Sequence, residues 1–583
     1  GGRVPLEDLT DSEPNTDWGA LDATQQHNCH YNSLAPDHLT LDAVESPRNN
    51  NWFLLTLGCR RGITFLEQQA EVDPKLIGVT GHSMGGKLTV DVAAIDNRVE
   101  VAVPSCGGTG SARDILSGMP GAGAGREQSQ LLLDAIDDVP YLKRLTCPIM
   151  FISPANDFAG PMDNMYINQR YVDNSFFYYA ITPHRNHQHD EAFSVNTLLT
   201  FAQFLKKGFT YPKAPELTVN LKTEDGIPEV KLVADPSRPI EKVDIYYSVD
   251  PHALTRFWRS AEARKQGDSW VAKAPIMSTS HPLFFYANVT YRDDLSKLYM
   301  HRTRESYDDR FALSSNMIRL TSDELKAAGG KATDRPTRVV EDFERDWRDW
   351  FLGYWDNPHH WNAATRKMKD PKYRPPRGAK LLLDVKIEED NTLVYEFRCN
   401  AWNAYPHRPV GTFIAAKEIK GSPDWQTIEV SESDLRPSTF PRGKTDPLPK
   451  AQWEYVTEFS LRCKGSVIRN GELIDVSRAW RGGREFRNLR WVGGRYPEKI
   501  IVSGGAVSIS EEDLNAEIGA AIDESWEEIE DFFGEPDTLG RYYLTPAMAT
   551  EIDSYMRVGQ DTTMGGNSKI SVGGKTYERG LGV

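Results

Sequence analysis

A serine held between two glycines, where a short apolar strand meets a helix, constrains this chain more than any other feature. Leu76 to Thr80 reads as a buried strand, Met84 to Ile95 as a helix, and Gly81-His82-Ser83-Met84-Gly85 joins them. Such an elbow holds its serine in a strained backbone, so the residues two before and two after it are expected to be small. A hydroxyl is a poor nucleophile until its proton has an acceptor, so a serine presented in this way calls for a base and an orienting acid elsewhere. The same stretch also begins like a phosphate-binding loop, with Gly81, Gly86 and Lys87 at that spacing. Leu88 decides against it, because the residue after the lysine must carry a hydroxyl for Mg²⁺, and Thr89 comes one place too late.

The surroundings suit the elbow. Residues 1 to 210 alternate helix and strand signals, the pattern of an α/β domain on a mostly parallel sheet. Asn51 to Gln69 carries an apolar stripe of helical period, Val99 to Val103, Ile149 to Ser153 and Phe176 to Ile181 are buried strands, and Ala192 to Lys207 is a closing helix. In α/β-hydrolases the order along the chain is serine, acid, histidine. Asp157 follows the strand Ile149 to Ser153 and is the expected acid, with Asp163 in reserve. Three histidines, His184, His187 and His189, follow the next strand and compete for the base; His187, midway between strand and helix, is placed best to reach Ser83. A metal site built from these histidines and Asp190 is disfavoured, since ligands three and two apart in a loop have no set geometry. No metal and no cofactor is expected.

One oxyanion donor should be the backbone N–H of Met84, directly after the nucleophile. The other belongs on a loop after an early strand, and residues 1 to 50 hold neither a His-Gly motif nor enough strands to precede the elbow. The first strands and half of the oxyanion hole are therefore expected upstream of Gly1, where a signal peptide would also lie. Gly107-Gly108-Thr109-Gly110 looks phosphate-like, but reads better as the start of a flexible active-site loop.

At 583 residues the chain is too long for a single core. Beyond residue 210 the period changes to two. A small Ig-like β-sandwich is expected over 216–305 and a jelly-roll-like domain over 336–505, with an amphipathic helix at 510–535 opened by Ser510-Glu511-Glu512-Asp513. Trp347, Trp350, Tyr354, Trp355 and Trp361 suit sugar stacking, but aromatics at this spacing are more often core. A net charge of −15 argues against nucleic acid, which needs a clustered positive surface. Six scattered cysteines form no CxxC pair, and no apolar run reaches the length of a membrane helix.

Several stretches carry a resemblance. Ser46-Pro47-Arg48-Asn49-Asn50-Asn51-Trp52, Arg60-Arg61, Glu71-Val72-Asp73-Pro74 and Gly81 to Lys87 resemble bacterial dienelactone hydrolases and acetylxylan esterase-like proteins, a group that overlaps the prolyl oligopeptidase-like proteins. The resemblance covers residues 1–210 and implies a Ser83, Asp157, His187 triad, with no counterpart of the family's oxyanion loop. Residues 541–583, with Tyr543-Leu544-Thr545, Ile570 to Gly574 and Tyr577 to Gly582, resemble the start of the carbohydrate-binding module found with glycoside hydrolase family 98 proteins. Pro423 to Ile428 is similar to a jelly-roll carbohydrate module. Together these imply an exported, multidomain serine esterase that deacylates polysaccharide. A prolyl oligopeptidase-type peptidase and a polysaccharide-binding protein with an inactive hydrolase domain are the alternatives.

Overall fold

The computed structural model describes residues 51–110, 137–172, 176–206, 208–295, 309–405, 408, 410–439, 451, 453–496, 569–572 and 575–578. These divide into two compact units, one up to Arg335 and one from Pro336 onward. The helix expected at 510–535, most of 541–583 and residues 1–50 lie outside the described residues.

Unit 1 is built on a nine-stranded sheet. Strands β1 (Ile77–His82), β2 (Val99–Ser105), β3 (Ile149–Pro154) and β4 (Phe177–Thr182) lie side by side and parallel. Helix α1 (Asn51–Glu67) precedes β1, and α2 (Met84–Ile95) leaves it through the elbow. β3 is buried along its whole length, as a central parallel strand covered on both faces should be. The expected closing helix is broken into Glu191–Ser194 and Asn196–Phe201, followed by a π-helical turn, Ala202–Lys206.

The next strands are β5 (Glu216–Asn220), β6 (Glu229–Val233), β7 (Ile240–Ser248), β8 (Arg259–Ala261), β9 (Arg264–Gln266), β10 (Ser269–Lys273), β11 (Leu283–Arg292), β12 (Arg310–Ser314) and β13 (Ile318–Leu320). They do not form the separate sandwich expected over 216–305. Only β5, β6, β10 and β9 make a sheet of their own, while β12, β11, β7 and β8 continue the sheet of β1–β4 antiparallel, with β13 paired to β11. A period of two reports that a strand has a buried face; it does not say which sheet the strand joins. Tyr246, Trp258, Phe284 and Tyr286 accordingly share one hydrophobic core with Val90, Ile149, Phe151 and Ile181.

The seam between the two halves is made by side chains. β4 and β12 share a single register pair, Ser314 with Tyr179. Beside it, Ile181 N donates to Ser314 Oγ at 2.7 Å, Ser314 Oγ donates to Asn288 Oδ1 at 2.6 Å, and Asn288 Nδ2 donates to Ile181 O at 3.0 Å. Asn288 opens the glycosylation sequon Asn288-Val289-Thr290, yet it is only 2% exposed, so its amide is committed to the seam.

Unit 2 contains β14 (Val339–Glu341), β15 (Phe351–Gly353), β16 (Asn362–Thr365), β17 (Arg377–Ile387), β18 (Asn391–Cys399) and β19 (Gly411–Ile419). It continues with β20 (Ser422–Val430), β21 (Arg436–Pro437), β22 (Val456–Arg462), β23 (Ser466–Arg469), β24 (Glu472–Asp475) and β25 (Arg484–Arg495). One sheet runs β14-β25-β17-β20 and a second runs β15-β16-β22-β18-β19-β21. Leu381, Leu383 and Trp491 from the first meet Tyr395, Phe397 and Phe459 from the second in a common core. Trp350 and Trp361 are buried there, and the Arg484 guanidinium lies 4.0 Å from the Trp355 ring centre and 4.3 Å from that of Trp361. Those tryptophans are core, and only Tyr354 of the group stands largely exposed. Further on, β26 (Lys569–Val572) and β27 (Lys575–Glu578) pair as a hairpin.

Removing the Asn288 amide leaves the Ile181 carbonyl and the Ser314 hydroxyl buried without it. Asn288→Ala should destabilise unit 1 by about 1–3 kcal/mol, read as a shift in urea midpoint at constant slope. An unchanged midpoint would show that the seam needs no side-chain bonds.

Candidate active site

The elbow exists and is tight. Ser83 has φ 62° and ψ −118°, its N–H donates to Ser105 O at 2.8 Å, and its carbonyl accepts from Gly86 N at 2.8 Å. A Cβ on Gly81 would run into the Gly85 carbonyl, whereas one on Gly85 would meet nothing within 4 Å. The demand for a small residue therefore falls on the first glycine. In unit 1 the non-glycine residues with positive φ, among those described, are Ser83, Cys106, His184 and His187. All lie at the elbow or in the loops that face it, as expected where backbone strain serves a site.

Asp157 and His187 meet. His187 Nδ1 and Asp157 Oδ2 are 2.9 Å apart, and the carboxylate is fully buried. Its other oxygen, Oδ1, accepts from Ala159 N at 2.7 Å and Gly160 N at 2.5 Å. The imidazole is held through Oδ2, which sets the tautomer with Nε2 open, and the Cys106 thiol hydrogen-bonds to the same carboxylate. The His187 ring is flanked by Phe158 at 4.5 Å and His82 at 4.7 Å between ring centres. His82 adjoins Ser83 in sequence, so base and nucleophile share one neighbourhood. Ser83 Oγ itself makes no hydrogen bond among the described residues; in substrate-free sites such bonds are often loose. Met84 N opens α2, in the first turn, where N–H groups lack intrahelical acceptors. The second oxyanion donor is expected on a loop upstream of Gly1, outside the described residues.

The competing candidates have other tasks. His184 is buried and packs on Phe257 and Tyr246. His189 Nε2 lies 2.8 Å from Ser105 Oγ and 3.2 Å from Cys106 Sγ. Asp163, the reserve acid, is buried against Arg256, with Oδ1 3.0 Å from Nη1. Arg256 also donates to Asp250 O and Pro251 O and lies over the Phe284 ring. The Asn156 amide donates to Ala253 O and Arg256 O. The segment 250–256, beyond the expected domain boundary, thus braces the loop that carries the acid. Lys87 is equally occupied, in an ion triad with Asp138 at 2.5 Å and Asp91 at 3.4 Å, which leaves no phosphate-binding role for it.

The glycine loop after β2 is packed closely where it is described. A Cβ on Gly107 would strike the Ser83 carbonyl, and one on Gly160 would come within 2.6 Å of Gly107 N. Asn168 Nδ2 donates to Thr109 O and Asn164 Nδ2 to Gly110 O, both at 2.7 Å. Gly107 to Gly110 thus forms a closely packed wall, and the rest of the expected flexible loop lies outside the described residues.

Sequence reasoning missed His82, Ser105 and Cys106. Ser105 Oγ is 3.0 Å from His82 Nδ1, and one possible ligand atom from each of His82, Cys106 and His187 lies within 4.8 Å of the others. No metal was expected, and no spacing along the chain displays this group. The signals available were a histidine inside the elbow motif and a cysteine at the end of a central strand. Burial, joined by the charge of Asp157, pushes the Cys106 thiol pKa far up. Burial, and next the neighbouring His82, lowers the pKa of His189 to about 4.

Residues 54–194 match the Dienelactone hydrolase family, an α/β-hydrolase domain. Among solved structures the chain is similar to an acetyl xylan esterase from Paenibacillus sp. R4, at 16% identity over 30% of this chain and 61% of that one, with a TM-score of 0.25. It is also similar to acetyl xylan esterase 1 from Thermoanaerobacterium sp. JW/SL YS485, at 18% identity over 29% of this chain and 56% of that one, with a TM-score of 0.22. A puromycin-hydrolyzing peptidase of Mycobacterium tuberculosis is similar at 15% identity over 27% of this chain and 25% of that one, with a TM-score of 0.22. The chain thus spans less than two thirds of each of these proteins. No curated protein sequence matches it.

Two outcomes follow from the electrostatics. Arg256→Met would strand the buried Asp163 carboxylate and should cost about 3–5 kcal/mol, measured by chemical denaturation; a loss below about 1 kcal/mol would mean that the pair braces nothing. His189, facing His82, His187, Asp157 and Arg185, has a folded pKa below its ordinary 6.5. Its contribution to stability is therefore complete above about pH 6.5 and lost as pH falls towards about 4. Thermal melts across that range should be flatter for His189→Asn than for the parent, and equal slopes would refute the assignment.

Proposed function

We propose that unit 1 is a serine hydrolase of the carboxylic-ester class, working through Ser83, His187 and Asp157. The observation that carries this is the His187–Asp157 bond, set beside an elbow that holds Ser83 at φ 62°. The match of residues 54–194 to the Dienelactone hydrolase family supports it. Ser83 Oγ attacks the ester carbonyl while His187 Nε2 takes its proton, and Asp157 steadies the imidazolium through Nδ1. The Met84 N–H faces the oxyanion that forms. The imidazolium then protonates the leaving alkoxide, and in a second step His187 removes a proton from the water that releases the acyl group.

The substrate class we favour is acylated polysaccharide, encountered by an exported protein. The resemblance of residues 541–583 and of Pro423 to Ile428 to carbohydrate modules supports this, together with a net charge of −15 that suits a neutral glycan better than nucleic acid. No described helix is long and apolar enough to cross a membrane. A peptidase would use the same triad, and comparing acetylated xylan with a proline-containing peptide separates the two.

The protein should be labelled by a fluorophosphonate, and Ser83→Ala should abolish labelling. Asp157→Asn should lower ester hydrolysis by about 10⁴-fold with little change in KM. Parent protein that neither labels nor hydrolyses esters, yet is retained on insoluble glycan, would leave a binding protein with an inactive hydrolase domain.

A further inference from the structure

Two of the side chains crowded round His187 take no part in the chemistry above. Cys106 follows β2 on a positive φ, its side chain buried, and His82 stands exposed inside the elbow. We infer that His82, Cys106 and His187 form a binding site for a thiophilic divalent cation, zinc above all, and that its occupation switches the hydrolase off. The site stands on geometry alone; the switching rests on the serine hydrolase assignment.

The donor set is one thiolate and two imidazoles, which selects zinc and excludes magnesium and calcium, whose ligands are oxygens. One ligand atom from each residue already lies within 4.8 Å of the other two. Tetrahedral zinc, with bonds of about 2.0–2.3 Å, needs its ligands roughly 3.3–3.8 Å apart, so closure asks for shifts of about 1 Å. The supporting shell is in place. Asp157 Oδ2 holds Nδ1 of His187 and Ser105 Oγ holds Nδ1 of His82, which leaves Nε2 of each imidazole to ligate. Carboxylate and hydroxyl partners of this kind orient ligating histidines and raise their basicity. The backbone beneath is set by close glycine contacts, with Gly86 against the Ser105 carbonyl and Gly160 against Cys106 and Gly107, so the three residues come from elements that cannot drift apart.

Binding releases the Cys106 thiol proton to solvent and leaves a thiolate on the metal. It also takes the Nε2 lone pair of His187, the one that must accept the Ser83 proton. The three protein ligands leave a fourth position for water, the usual arrangement of a site with one open coordination place. The cation thus competes with the chemistry for a single nitrogen, and inhibition is reversed by chelation.

Cobalt is the probe, because tetrahedral Co²⁺ bound to sulfur gives a thiolate-to-metal charge-transfer band and intense visible bands. The chelator-treated full chain should develop both on titration with Co²⁺ to one equivalent, and zinc should bleach them. Cys106→Ser should lose the charge-transfer band, and both Cys106→Ser and His82→Gln should weaken zinc binding and zinc inhibition at least about tenfold while metal-free ester hydrolysis persists. Absence of the charge-transfer band in the parent, or its persistence in Cys106→Ser, would overturn the site. A band that appears in a protein that no fluorophosphonate labels would keep the site and remove the hydrolase assignment.

Discussion

The hydrogen bond between His187 Nδ1 and the buried Asp157 carboxylate organises unit 1. A carboxylate with no exposure is tolerable only if its lone pairs are taken, and two backbone N–H groups, one imidazole and the Cys106 thiol take them. Those two N–H groups belong to Ala159 and Gly160, so the loop must curl tightly, and Gly160 must lack a side chain to seat against Gly107. Gly107 in turn must lack one to seat against Ser83. The acid, the glycine wall and the elbow are thus successive parts of one close-packed chain of backbone, and no part can move without disturbing the next.

This explains which residues could be read from sequence. The elbow is local: strand, two glycines and helix lie within twenty residues, and β1, Ser83 and α2 appear as the pattern required, α2 with the expected bounds. Asp157 and His187 were found through their order along the chain, each just after a buried strand, because a parallel sheet delivers successive loops to one end. Asp163 stood in reserve in that ordering, and the contacts separate the two acids: Asp157 holds His187, whereas Asp163 pairs with Arg256. His82, Ser105 and Cys106 escaped notice because they converge across the ends of two strands, β1 and β2, and carry no common spacing.

The fold was legible to a similar depth. Periodicity placed the strands of the parallel sheet to within about two residues, for example Ile149 to Ser153 against Ile149–Pro154. It did not assign the later strands to sheets. β12 was hidden in a segment dominated by charge, Arg302 to Arg338, although Phe311, Ala312 and Leu313 are completely buried. Without β12 there is no bridge from β4 to β11, and 216–305 looks self-contained. In unit 2 the tryptophans posed the opposite problem: a residue type suited to sugar stacking turned out to fill the space between two sheets.

The shared sheet bears on how such a protein can be divided. The stretch Thr210 to Pro215 has the composition of a hinge between modules, and a gene cut there would look conservative. It would sever a single sheet, stripping β4 of the Asn288 and Ser314 contacts and the acid loop of Ala253 and Arg256. The unit of inheritance and of transplantation is therefore the whole of unit 1 through Arg335, and exchange of the α/β part alone between related chains would carry off the site without the strands that brace its acid.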